Sequence, residues 1–254
     1  MMSFVFEYAG RARRVLRQGS GAAVIVMHEL PGPTPQVLAF ADRLAGAGFT
    51  AVLPVLFGVP GKPLSRAYLA GEFARVCVSR EFHCLRRNRS SPVTDWLRAL
   101  CTHMHAECGG PGVGVVGMCL TGGFALALAA DPSVLAPVMA QPSLPLGITA
   151  SHRAALGVSP QELAAVRARV AGGARLLGLR FSQDRLCPRA RFERLRRELG
   201  EGFESVEIDS SPGNRDGIDA TAHSVLTMDL VDRPGHPTHD ALERVLAFLR
   251  ERLG

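Results

Sequence analysis

Two periods of apolar spacing alternate along this chain, and their order predicts its architecture. Residues 22–27 (AAVIVM) form a short, unbroken apolar run, the pattern of a strand buried on both faces. Residues 49–53, 113–116, 134–140, 174–181 and 203–208 are read as further strands. Between them apolar residues recur at helical spacing. Thr34-Pro35 supplies an N-cap and a proline at the first helical position, and Val37, Leu38, Ala41, Leu44 and Ala45 continue the helix until Gly46 and Gly48 stop it. Helical patterns follow at 66–78 and 92–107, the second opened by Ser91-Pro92. Residues 120–130 give another, closed by Asp131-Pro132. Ser159-Pro160-Gln161-Glu162 is a capping box for a helix ending near Ala171, and 188–199 and 238–253 complete the set.

Alternating strands and helices predict an α/β fold: a mostly parallel central sheet with helices on both faces. Its length of 254 residues fits a single domain, 1–254. Residues 55–66 read as a Gly/Pro-rich loop at the sheet's edge. The irregular stretches 141–158 and 209–222 are expected near a pocket.

Composition narrows the function classes. With 47% hydrophobic and 20% charged residues, the chain is neither disordered nor fibrous. The formal charge is +6, and Lys62 is the sole lysine among 29 basic residues. The arginines are dispersed. Their densest groups, at 11–14, 86–89 and 194–197, include one flanked by Glu193 and Glu198. Phosphate binding would concentrate them, and the 6% aromatic content offers little base stacking. No nucleic-acid partner is expected, whereas a small-molecule substrate, including an anionic one, fits. Residues 109–130 carry no charge over a bilayer's length, but Gly109, Gly110, Pro111, Gly112, Gly114, Gly117, Gly122 and Gly123 interrupt them. They read as strand, turn and helix, not as a membrane span. The segment from Met1 to Glu7 has no basic or apolar leader pattern, so the six cysteines (77, 84, 101, 108, 119 and 187) are expected reduced in a cytoplasm.

The most informative stretch is Gly117-Met118-Cys119-Leu120-Thr121-Gly122-Gly123, directly after a buried strand and opening a helix. A small residue two before the nucleophile permits a turn sharp enough to expose the side chain at 119. The helix N-terminus favours a thiolate there. Such folds place an acid after a later strand and a histidine last. Asp184, in Ser182-Gln183-Asp184, and His223, in Ala222-His223-Ser224, occupy those places. Singly they read as a buried thiol, a helix cap and a surface histidine; in this order they read as a triad.

With these motifs the sequence resembles the dienelactone hydrolase family of α/β-hydrolases from Val24 to the last helix, including Met27-His28-Glu29-Leu30-Pro31-Gly32 after the first core strand. The resemblance implies a triad of Cys119, Asp184 and His223. It implies that Glu29 contacts the thiol and helps control its ionisation. The amides of Leu30 and Leu120 would form an oxyanion hole, and Ser224 matches a polar residue beside the family's histidine. Two positions depart from the pattern. Thr121 stands where the family has glycine, and its branched side chain is expected to crowd the turn. Thr227 stands where the family's enzymes hold a substrate carboxylate with arginine. Arg80, in Cys77-Val78-Ser79-Arg80-Glu81-Phe82, and Arg215, in the loop before His223, are the replacement anion contacts.

Other clusters carry less. Cys101, His105 and Cys108 share a helix face and His103 does not, so they cannot enclose a tetrahedral metal without a second segment. His236 and His239 flank a helix start and read as a cap or loop, and His28 reads as a hydrogen-bond partner beside Glu29. The Gly-rich segment before Cys119 lacks the Lys-Ser/Thr of a phosphate loop, and no dinucleotide fingerprint occurs. No cofactor or metal is expected. The leading reading is a cysteine-nucleophile hydrolase of a small ester, lactone or thioester, monomeric or weakly dimeric. The alternatives are a non-catalytic ligand- or partner-binding protein on the same fold, and a redox role pairing Cys119 with Cys187.

Overall fold

A computed structural model describes residues 1–78, 91–144 and 149–254. Eight strands form one sheet in the order β1-β2-β4-β3-β5-β6-β7-β8. They are β1 Met2–Tyr8, β2 Arg11–Gln18, β3 Ala23–Met27, β4 Thr50–Pro54, β5 Val113–Met118, β6 Val134–Ala140, β7 Leu176–Phe181 and β8 Phe203–Ile208. From β4 to β8 every neighbouring pair is parallel, as the alternating pattern predicts.

The helices are α1 Pro35–Gly46, α2 Arg66–Val78, α3 Pro92–Cys108, α4 Gly122–Leu128, α5 Ala150–Arg153, α6 Pro160–Ala171, α7 Arg189–Leu199 and α8 Pro237–Leu253. Thr34 is the N-cap of α1, but its hydroxyl makes no capping bond. The Ser159 capping box forms in full, with Ser159 and Glu162 exchanging bonds of 2.8 and 3.1 Å.

Buried side chains fall into two clusters, one on each face of the sheet. Ala23, Ile25 and Met27 join Trp96, Leu100 and Phe124 on one face. Val24 and Val26 join Phe40, Leu44, Phe248 and Leu249 on the other. This is why the run at 22–27 is apolar without interruption: each successive residue faces a different layer of helices.

The sequence pattern predicts six strands, and the structure adds a hairpin, β1–β2, at one edge. Its two turn residues, Ala9 (φ 49°) and Gly10 (φ 71°), lie in the left-handed region, the conformation of a two-residue turn that matches strand twist. The hairpin escapes the apolar-run criterion because its residues are largely exposed and β2 carries Arg11, Arg13, Arg14 and Arg17. No helix among the described residues is long and apolar enough to cross a membrane.

Candidate active site

The polypeptide turns sharply at the end of β5. Cys119 has φ 52°, a left-handed value that is strained for a residue with a Cβ, and Cys119–Thr121 form one 3-10 turn before α4 begins. The expected helix at 120–130 therefore starts as this tighter turn. A Cβ at Gly117 would lie 2.5 Å from the Thr121 carbonyl oxygen and 2.9 Å from Ala125 Cβ, so only glycine fits two residues before the cysteine. Gly122 is equally constrained, with Pro142 Cβ 2.6 Å from its notional Cβ.

Thr121 does not crowd this turn. Its buried hydroxyl accepts from the Met118 amide (2.9 Å) and donates to the Met27 carbonyl (2.8 Å), tying the ends of β5 and β3 together. The departure from glycine is accommodated by hydrogen bonding.

The acid and the histidine meet across the ends of β7 and β8. His223 Nδ1 donates to Asp184 Oδ2 at 2.7 Å. The other oxygen, Oδ1, accepts from the amides of Leu186 (2.8 Å) and Cys187 (3.1 Å), which fixes the carboxylate's orientation. Burial alone would lower the His223 pKa, but the charge of Cys119, with the hydrogen bond and charge of Asp184, overrides it and holds the imidazole well above its ordinary 6.5. Its Nε2 is buried and has no hydrogen-bond partner among the described residues. The loop beyond it is fastened by Asp229 Oδ2, which accepts from the amides of His223 (2.9 Å) and Ser224 (2.7 Å).

Glu29 sits at the end of β3 and is 3% exposed. Its Oε2 accepts from Ser224 Oγ (2.7 Å) and Gln141 Nε2 (3.1 Å), and its Oε1 accepts from Thr227 Oγ1. The resemblance implies a contact with the thiol; the hydrogen bonds of this carboxylate run to Ser224, Gln141 and Thr227 instead. Ser224 is thereby a partner of Glu29 as well as a pocket residue. Gln141 is itself strained (φ 37°) and accepts from the Val225 amide at 3.4 Å, linking the loops after β6 and β8.

Cys119, His223, Glu29, Leu30, Leu120 and Ser224 all line one cavity of about 540 Å3. The remaining wall comes from the exposed face of α2 and from Leu144, Leu186 and Met228. Arg66, at the start of α2, also lines it.

Arg215 is not part of this cavity. Its side chain is 86% exposed and hydrogen-bonds Asp216 at 3.4 Å, because the loop at 209–222 bends toward solvent and only His223 and the residues after it turn inward. Arg80 lies outside the described residues. The loop after β6 does reach the cavity, through Ser143 and Leu144.

Cys187 is buried and its thiol is pushed up to about 12, chiefly by burial, which disfavours the thiolate that a resolving cysteine needs. The Cys/His group on α3 also disperses. Cys101 faces the core, His103 stacks on Phe6 at 5.1 Å, and His105 Nε2 bonds the Gly110 carbonyl at 3.0 Å.

Several supporting residues carry no motif. Arg191 on α7 is 2% exposed and donates to the carbonyls of Ala155 (2.7 Å), Pro142 (2.5 Å) and Leu186 (3.2 Å), joining three loops around the pocket. Asp229 is visible in sequence only as a polar residue six past His223. The α2 face is visible as Leu69, Phe73 and Val76 at helical spacing, but nothing local says that it borders a cavity.

A family model for the dienelactone hydrolase family matches residues 11–253. The chain belongs to the dienelactone hydrolase family. Solved structures of similar fold include a proposed dienelactone hydrolase from Klebsiella pneumoniae subsp. pneumoniae (19% identity, 98% of each chain, TM-score 0.65). A dienelactone hydrolase from Anabaena variabilis is also similar (16% identity, 100% of this chain and 98% of that one, TM-score 0.64). A third is an α/β serine hydrolase without a lid from Xanthomonas campestris (13% identity, 99% and 94% coverage, TM-score 0.56). No curated protein matches the chain. At these identities the structural matches establish the α/β-hydrolase fold, and the family match establishes a hydrolase lineage of esterase type.

Proposed function

We propose that this member of the family hydrolyses a small ester, lactone or thioester through Cys119, although some structural neighbours are serine hydrolases. The observation that carries the reading is the meeting, in one cavity, of a cysteine held at φ 52° with a histidine bonded at 2.7 Å to a buried aspartate. Strain at a strand-to-helix turn exposes a nucleophile, and a histidine oriented by an acid can move its proton.

In this mechanism Cys119 yields its proton to His223 and Sγ attacks the carbonyl carbon while the amides of Leu30 and Leu120 receive the developing oxyanion. The carbon–oxygen bond of the leaving group breaks, and the leaving alcohol takes a proton from His223. Asp184 holds the imidazole in the orientation this needs. Water, deprotonated by His223, then attacks the thioester at Cys119, releasing the acid and restoring the thiol. A thiolate leaves more readily than an alkoxide, so the tetrahedral adduct of an unactivated ester returns to substrate. Lactones, enol or aryl esters and thioesters are therefore the favoured classes. The cytoplasm, with its reduced thiols, is the proposed compartment.

The test is turnover of a panel of aryl esters and lactones by wild type and Cys119→Ala. Loss in the variant supports the mechanism; equal activity in both removes Cys119 from it.

A further inference from the structure

The wall facing Cys119 and His223 is built from apolar side chains. Leu69, Phe73 and Val76 recur at i, i+4 and i+7 and line the cavity from α2. Leu186 and Met228 close it from the loops after β7 and β8. Four of these five are exposed to an unusual degree for large apolar groups: Leu69 39%, Phe73 46%, Leu186 58% and Met228 40%. Isolated exposed leucines need no explanation, but an apolar rim continuous with a concave cavity marks a ligand groove.

The polar groups of the cavity are committed elsewhere. Of the residues that line it, Ser224 donates to Glu29, Ser143 donates to the Gln141 carbonyl, and His223 is bonded to Asp184. Among the described residues the one arginine lining the cavity is Arg66, and it is exposed, while the raised charge of His223 is paired with Asp184 and Cys119. A solvated guanidinium adds little affinity for a carboxylate.

We infer that the substrate is a neutral ester or thioester whose apolar chain or ring lies along Leu69, Phe73 and Val76, with its carbonyl at Cys119. The inference rests on the proposed role of Cys119 and adds the class of molecule the site accepts. From Leu69 to Val76 the helix rises about 10 Å, room for a chain of roughly eight carbons.

The experiment has two readouts. In the first, wild type is assayed on p-nitrophenyl esters from acetate to decanoate and on the p-nitrophenyl monoester of glutaric acid. The expected kcat/KM rises about fourfold per methylene until the groove is filled, and the glutarate ester falls below its neutral counterpart of equal length. Phe73→Ala lowers the octanoate-to-acetate ratio of kcat/KM about tenfold, and Phe73→Leu restores most of it. In the second, alkyl methyl ketones of increasing length are titrated calorimetrically into Cys119→Ala. Their affinity is expected to tighten with length and to weaken when Phe73→Ala is added.

Ketone affinity independent of chain length, or a preference for the glutarate ester, overturns the inference. Ketone binding that tightens with length, together with equal turnover by wild type and Cys119→Ala, supports the apolar groove and overturns the nucleophile assignment alone.

Discussion

Thr227, four residues beyond His223, hydrogen-bonds to Glu29, a carboxylate 198 residues earlier in the chain. An arginine there, as the family pattern has it, would bring a positive charge. Here the donors to the buried carboxylate among the described residues are all neutral: Thr227, Ser224 and Gln141. Thr227 is also only 6% exposed, so its hydroxyl serves the protein's interior.

Removing that hydroxyl leaves a buried acceptor short of one donor, which costs about 1–3 kcal/mol. Thr227→Val should therefore lower Tm by about 3–8 °C, whereas Thr227→Ser, which keeps the donor, should stay near wild type. Scanning calorimetry of the three proteins checks this. Equal Tm for Val and wild type would show that the bond contributes nothing.

A second prediction concerns His28. Its Nδ1 donates to the Glu29 carbonyl and its Nε2 accepts from the Leu56 amide, both at 3.1 Å, and burial lowers its pKa to about 4. In the unfolded chain the value is about 6.5. A histidine depressed on folding contributes stability in full above pH 6.5 and loses it as pH falls toward 4. The linked change is about 3 kcal/mol. Denaturant unfolding at intervals from pH 7.5 to 4.5 should show wild type losing stability more steeply than His28→Gln. Parallel curves would place the acid sensitivity elsewhere.

His223 moves the opposite way. The thiol of Cys119 is the largest influence raising its pKa, followed by Asp184. In wild type the imidazole should remain protonated through pH 8. In Cys119→Ala its titration should fall back toward the ordinary range, because burial then faces less opposition. Nitrogen chemical shifts of labelled histidine report this directly. An unchanged titration in the variant would show that the two side chains do not interact.

Asp184→Asn retains an oxygen for the Leu186 and Cys187 amides but no longer fixes the imidazole tautomer. Loss of the orienting acid in a comparable triad costs about 10^4 in kcat. The variant should show such a loss on the best aryl ester with Tm close to wild type. Activity within tenfold of wild type would exclude Asp184 as the orienting acid.

What the sequence disclosed, and what it concealed, has a physical pattern. Residues 134–140 and 203–208 are read with the bounds the structure shows, and the Ser159–Glu162 box is local enough to see in four letters. That Cys119 and His223 meet in one cavity, with Asp184 bonded to His223, is what their order after successive strands leads one to expect. The β1–β2 hairpin is not, because an exposed edge strand has no need of an apolar run. Gln141, Thr227 and Arg191 are hidden for another reason. Gln141 and Glu29 are 112 residues apart, and Arg191 finds carbonyl partners up to 49 residues away. No local pattern encodes such a meeting. Arg215 fails for the same reason in reverse: nearness to His223 in sequence did not become nearness in space.

The parallel sheet has one further consequence. Glu29, Cys119 and His223, which line the pocket, follow β3, β5 and β8, and their partners Gln141 and Asp184 follow β6 and β7, so the site draws on five strand ends. The bond from Ser224 to Glu29 closes a loop of 195 residues. Contacts of such long range carry a loop-closure cost that has to be met before they are rewarded. The pocket is thus expected to come together late, as the sheet is completed. During refolding, the activity proposed for Cys119 should reappear only when the β8 end has docked, however early the helices return.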